Sequence, residues 1–264
     1  MVQTKKNIIL KAQDLEVGYR SKNGKSIIAK DVDFFLSPGE LIGLVGANGI
    51  GKSTLLRTLT GMQKPLSGSI FINDKPLTSF SAIQLATLLS VVLTEPPATK
   101  NLSVRELVSL GRQPYTNWIG SLSQTDKKAI DFALESTETT SLADRKCYEL
   151  SDGQMQRVSI ARALAQDTPI IVLDEPTTHL DLYHRAYVLK LLKNLATNTG
   201  KAILFSTHEI DLAIQLTDSM IVMTESQTFF DSPCRLIESG KFDALFPKET
   251  IGFDPSTGRF TIRK

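Results

Sequence analysis

The chain has 264 residues, 41% of them hydrophobic and 22% charged, with a net charge of +2. That composition suits a soluble globular protein of one domain, or one domain with a lobe, and gives no basic stripe for nucleic acid. No run approaches the ~20 apolar residues of a bilayer span; the start, Met1 to Asn7, has a basic pair but no long apolar stretch after it and reads as a poor signal peptide, and Cys147 and Cys234 have neither CxxC nor zinc spacing.

Residues 7–19 read as a strand, Ser21-Lys-Asn-Gly24 as a turn, and Ser26 to Leu36 as a second strand. Tyr19 ends the first strand, either as a half-exposed strand aromatic or as a flat platform for an adenine ring. Ser37 to Glu40 turns into the apolar run Leu41 to Val45, a buried strand. Gly46-Ala47-Asn48-Gly49-Ile50-Gly51-Lys52-Ser53 then matches G-x-x-x-x-G-K-[ST]. Thr54 to Thr60 reads as a helix with Leu55, Leu56 and Leu59 on one side. Strand, glycine loop and helix make a phosphate cradle. The glycines let backbone N–H groups turn inward. The helix start adds unsatisfied N–H groups and a partial positive charge. In such a cradle Lys52 reaches the β/γ-phosphates and Ser53 ligates Mg²⁺.

Ile70 to Ile72 with the turn Asn73 to Pro76 reads as a hairpin-like return, 79–89 as a helix and Ser90 to Leu93 as a strand. Pro96 and Pro97 make Thr94 to Asn101 a loop. Ser103 to Glu106 fits a capping box before Leu107, Val108 and Leu110, and Gly111 is expected to end that helix. Residues 112–123 read as a loop with exposed aromatics, followed by a helix from Thr125 to about Thr137. Residues 103–150 thus form a mostly helical insert between two halves of an α/β core. Leu150-Ser151-Asp152-Gly153-Gln154 opens another helix. Ile170 to Leu173 is apolar throughout, the mark of a central parallel strand, and ends in Asp174-Glu175. Asp181 to Ala196 reads as an amphipathic helix, and Ala202 to Phe205 as a buried strand ending in Ser206-Thr207-His208. Ile210 to Leu216 is helical, Ser219 to Met223 and Thr228 to Phe230 are strands, 233–246 is helical, and 251–264 resembles a hairpin.

Ligands of open parallel sheets bind beyond the carboxyl ends of the strands. If the strands ending at Val45, Leu173 and Phe205 are neighbours, their polar ends face one phosphate site. Asp174 would hold Mg²⁺, directly or through water, opposite Ser53. Glu175 would point beyond the γ-phosphate as general base or water orienter. His208 is either a helix-capping histidine or a hydrogen-bond partner of the γ-phosphate; His179 and His184 read as interface or surface residues. Ser151-Asp152-Gly153 before a helix is a second anion site. One nucleotide could use it together with Gly46–Thr54 between two chains, head to tail with twofold symmetry.

These residues together resemble the ATP-binding cassette (ABC) family over essentially the whole chain. Gly46 to Thr54 resembles its Walker A loop, Ile170 to Glu175 its Walker B strand with catalytic glutamate, and Leu150 to Gln154 its signature, with Asp152 where glycine is commoner. Thr177 to Asp181 resembles the D-loop, His208 the switch histidine and Tyr19 the adenine-stacking aromatic. The resemblance implies a P-loop NTPase (RecA-like) α/β core with an N-terminal antiparallel β subdomain and an inserted α-helical subdomain. Residues 1–90 and 158–232 would form the core, about 91–157 the helical subdomain and 233–264 a C-terminal extension. It implies ATP and Mg²⁺ as ligands, with Lys52, Glu175 and His208 catalytic. Leu102 to Thr116 is similar to a stretch typical of ATPases from bacterial importers of iron–siderophores, haem and cobalamin, where it docks the permease. The implied assembly is two copies of this chain beneath polytopic permease subunits, on the cytoplasmic face of the inner membrane, supplied by a substrate-binding protein. The family's glutamine after the Ser90–Leu93 strand is replaced by Thr94-Glu95; Glu95 could ligate Mg²⁺, or Thr94 could hold it through water. A soluble ATPase of iron–sulfur cluster assembly is a second class with this fold. DNA-repair and chromosome ATPases are a third, but they insert a long coiled coil or zinc module, and this chain has no heptads.

Overall fold

The computed structural model describes residues 7–21, 24–95, 101–246, 251–255 and 257–262. Parts of three expected features lie outside the described residues: Lys22-Asn23 of the first turn, Pro96 to Lys100 of the proline loop, and Ser256, Arg263 and Lys264 of the terminal hairpin.

β1 (Leu10–Ser21) and β2 (Gly24–Leu36) pair antiparallel. β3 (Leu41–Gly46) leads through the glycine loop into α1 (Lys52–Leu59). β4 (Ser67–Ile72) returns beside β1, and the short β5 (Lys75–Pro76) completes a sheet ordered β2-β1-β4-β5. α2 (Ala82–Ala86) is shorter than the helix expected over 79–89. A 3-10 turn occupies Leu77–Ser79, and the Ser81–Gln84 capping box starts the α-helix only after it. β6 (Leu89–Val92) follows.

The insert holds α3 (Val104–Ser109), α4 (Gln124–Ser136) and the start of α5 (Asp152–Ala165). Each opens with a capping box, on Ser103–Glu106, Ser123–Asp126 and Ser151–Gln154. An N-cap of this kind is worth about 1 kcal/mol. Gly111 does not end α3. The chain tightens into a 3-10 turn, Leu110–Tyr115, that runs through it. The glycine answers a packing demand instead: a Cβ there would lie 2.3 Å from Arg162 O on α5.

β7 (Ile170–Leu173), α6 (Leu182–Thr199), β8 (Ala202–Ser206), α7 (Ile210–Leu216), β9 (Ser219–Met223) and β10 (Thr228–Asp231) complete the core. The larger sheet has the order β10-β9-β3-β8-β7-β6, parallel apart from β10. Side chains alternate along a strand, so β3 divides two apolar cores. Leu41 and Val45 join Leu173, Phe205 and the helices of the insert, whereas Ile42 and Leu44 join Val172, Leu204 and the smaller sheet. Burial of each such side chain stabilises by about 1.5–3 kcal/mol, which is why β3 is apolar on both faces. α8 (Pro233–Glu238) and the hairpin of β11 (Ile251–Asp254) and β12 (Arg259–Ile262) end the described chain. Phe242, Phe246, Phe253 and Phe260 fasten that hairpin, the closest ring centroids being 5.0 Å apart.

Candidate nucleotide site

β3, β8 and β7 are adjacent and parallel, so the ends of all three strands open on one edge of the sheet. Gly51 stands at the N-cap of α1 in the left-handed region, φ 106, and neither it nor any other side chain caps the helix among the described residues. No acid lies in the first turn. The first N–H groups of α1 therefore face the loop interior unclaimed by side chains. The loop is braced from outside: a Cβ on Gly51 would fall 2.0 Å from Ile28 Cγ2, and one on Gly46 would fall 2.8 Å from Met223 O.

Asn48, Gly49, Gly51, Lys52, Ser53 and Thr54 share a cleft of about 490 Å³ with Glu175 and His208. Lys52 is buried; its Nζ donates to Gly46 O (3.1 Å) and Ala47 O (3.3 Å) and lies 3.4 Å from His208 Nδ1. His208 Nε2 lies 2.6 Å from Glu175 Oε1. An ammonium only donates and a carboxylate only accepts, so this chain of contacts assigns the imidazole proton to Nε2. Burial draws the Lys52 pKa below the usual lysine range, opposed by the charges of Glu175 and then Asp174.

A single hydroxyl sets the two consecutive acids. Ser206 Oγ donates to Asp174 Oδ1 (2.7 Å) and accepts from the Glu175 N–H (2.9 Å). Glu175 is itself left-handed, φ 50, a conformation costing a non-glycine residue about 1–3 kcal/mol that its surroundings must offset. Thr178 Oγ1 donates to its Oε2 (3.3 Å). Thr94 Oγ1 donates to Asp174 O (3.0 Å), while Glu95 is exposed and does not line the cleft. Among the described residues no group of three or more His, Cys, Asp or Glu is placed to hold a metal. A serine hydroxyl at the start of α1 and one buried carboxylate fit Mg²⁺, which takes few protein oxygens and completes its shell with phosphates and water.

The remaining expected residues lie outside this cleft. Tyr19 is 49% exposed, its Oη 3.1 Å from Thr54 Oγ1, and it lines a neighbouring hollow with Met62 and Gln63. Ser151 caps α5, with Asp152 exposed beside it. Asp181 caps α6 by accepting from His184 N (2.8 Å). His184, half-exposed, has two neighbours: its Nδ1 is 2.8 Å from Asp181 Oδ1, and a Cβ on Gly153 would meet its Cδ2 at 2.9 Å. It thereby joins the 151–154 segment to Asp181. His179 is left-handed, φ 64, and borders a hollow with Arg185 and Glu209. The roles of Ser206 and His184 were hidden in the sequence; the only signal was a polar residue ending an apolar strand, and a histidine in a helix's first turn.

The profile of the ABC transporter family matches residues 29–178. The achromobactin transport ATP-binding protein of Dickeya dadantii (strain 3937) is 37% identical, over 89% of this chain and 86% of that protein. The iron(3+)-hydroxamate import ATP-binding protein of Bacillus subtilis (strain 168) is also 37% identical, over 81% of this chain and 78% of that protein. Among solved structures, a dimeric ATP-binding cassette in a post-hydrolysis state with ADP and Pi superposes with a TM-score of 0.73 at 27% identity, covering 85% of this chain and 99% of that one.

Proposed function

This chain belongs to the ABC transporter family, and from that premise we propose that it is the ATP-hydrolysing subunit of an importer for ferric siderophores or a related metal chelate such as haem or cobalamin. The observation that carries the reading is the convergence of the Gly46–Thr54 loop, Asp174-Glu175 and His208 on one edge of the sheet. The loop N–H groups and Lys52 bind the phosphates. Glu175, held by Ser206, positions and deprotonates the attacking water. His208, whose Nε2 proton faces Glu175 in this structure, would turn that proton to the developing phosphate charge once nucleotide is bound. Mg²⁺ would be held by Ser53 Oγ and Asp174, with Thr94 behind Asp174, and would supply charge neutralisation of the phosphates. Tyr19 would carry the adenine. Residues about 91–157 act as a helical subdomain on a core of 1–90 and 158–232, and 233–264 as an extension.

One chain holds half of each site. Ser151 to Gln154, with Asp181, would complete the site of a second copy, so nucleotide closes a head-to-tail dimer and hydrolysis reopens it. No helix among the described residues is long and apolar enough to cross a membrane. Polytopic permease subunits would therefore hold the chain at the cytoplasmic face of the inner membrane, fed by a substrate-binding protein. Two measurements test this. ATPase rate should rise more steeply than linearly with protein concentration and lose that dependence in Ser151→Arg; a fully active monomer overturns the shared site. The chain should co-purify with a polytopic membrane protein; a purely cytosolic complex would favour the assembly-type ATPase instead.

A further inference from the structure

Between α3 and α4 the chain holds two apolar side chains out into solvent. Trp118 is 95% exposed and its neighbour Ile119 68%. Single exposed apolar residues are ordinary, but this tip is built. Asn117 Oδ1 accepts from the N–H groups of Ile119 and Ser121, both at 3.1 Å, and Gly120 N donates to Asn117 O at 2.9 Å. At the base, buried Arg112 donates to Asp126 Oδ1 (2.8 Å) and Ala165 O (2.8 Å), and its guanidinium lies 4.0 Å from the centre of the Tyr115 ring. Lys127 and Lys128 are exposed just beyond, in the opening turns of α4. The two aspartates of α4 are engaged: Asp126 with Arg112, and Asp131 with Arg105 at 2.6 Å.

We infer that this tip enters the headgroup layer of an anionic membrane, with Trp118 and Ile119 at the acyl boundary and Lys127 and Lys128 against lipid phosphates. An indole is apolar over its faces and donates through its N–H, which suits that boundary. Each lysine close to an anionic leaflet strengthens binding about fivefold. The inference rests on the importer reading, because a two-residue tip is a weak anchor alone and gains from a permease that already holds the chain at the surface.

Trp118 is the chain's sole tryptophan, so its emission reports the contact directly. The purified chain is mixed with vesicles of phosphatidylcholine containing about a third phosphatidylglycerol. Emission should shift to the blue and be quenched by brominated acyl chains, and pure phosphatidylcholine should do neither. Lys127→Glu with Lys128→Glu should weaken vesicle binding about twenty-fivefold or more, while ATPase activity in solution stays unchanged. Emission indifferent to anionic vesicles overturns the inference. So does a shift seen only with detergent-solubilised permease, which makes the tip a protein contact and leaves the importer reading standing. That reading fails by its own measurement, absence of a co-purifying polytopic protein.

Discussion

Two helices of this chain begin at the anion sites proposed above, and they begin differently. α1 starts at a left-handed glycine with no side-chain cap and no acid in its first turn. α5 starts at Ser151, whose hydroxyl accepts from Gln154 N while the Gln154 side chain accepts from Ser151 N, and carries Asp152 in its first turn. The first leaves its N–H groups for a ligand. The second satisfies one of them from its own side chain and offsets the helix-end charge with a carboxylate. This difference suits the roles proposed above: an uncapped start for the helix that holds phosphate throughout, and a self-capped start for the helix that lets go after hydrolysis.

Five substitutions press on that contrast. Glu175→Gln should lower kcat about a thousandfold while ATP affinity and the concentration dependence of nucleotide-driven dimerisation persist; loss of nucleotide binding in equilibrium titration would show that Glu175 builds the α1 cradle rather than serving the chemistry. Gly51→Ala meets both Ile28 and a φ of 106, and should weaken ATP binding about a hundredfold. Adding Ile28→Ala removes the clash but not the backbone strain, so recovery should be partial; full recovery would remove the argument from φ. Gly153→Ala meets only the His184 ring, at 2.9 Å. It should cost about tenfold in ATPase rate through weakened closure, about 1.4 kcal/mol, and His184→Ala should restore most of it. Asp152→Asn should tighten nucleotide-driven dimerisation about two- to fivefold at low ionic strength, the range of a charge at a helix end; an unchanged or weaker dimer, read by analytical ultracentrifugation, would mean Asp152 does not moderate the α5 site. The conservative Glu95→Gln should move ATPase rate by less than about tenfold, because Glu95 lies outside the cleft; a larger loss would assign it a chemical role.

Much of this was legible because it is local. The Gly46–Ser53 loop, the capping box at Ser103, the helix start at Ser151, and the apolar strands at Leu41, Ile170 and Ala202 are each written within a few consecutive residues. The adjacency of β3, β8 and β7 followed from their apolar faces only as a condition, and the sheet satisfies it. What stayed hidden crosses long stretches of chain. Ser206 joins Asp174 to Glu175 from 31 residues beyond the latter. Glu175, left-handed in its backbone, donates its N–H to that partner, and no pattern around residue 175 encodes it. Gly111 looked like a helix stop because glycine usually is one; here a neighbour 51 residues later set the requirement.

That glycine also has a mechanical side. With no side chain between them, the backbone of the 110–115 turn rides directly on the last turns of α5, and Arg112 clamps the same place through Ala165 O. Neither can slide without the other. α5 is a rod of about 20 Å with this joint at one end and Ser151 at the other. The packing of the turn and the start of α5, where the second anion site is proposed, therefore belong to one rigid element.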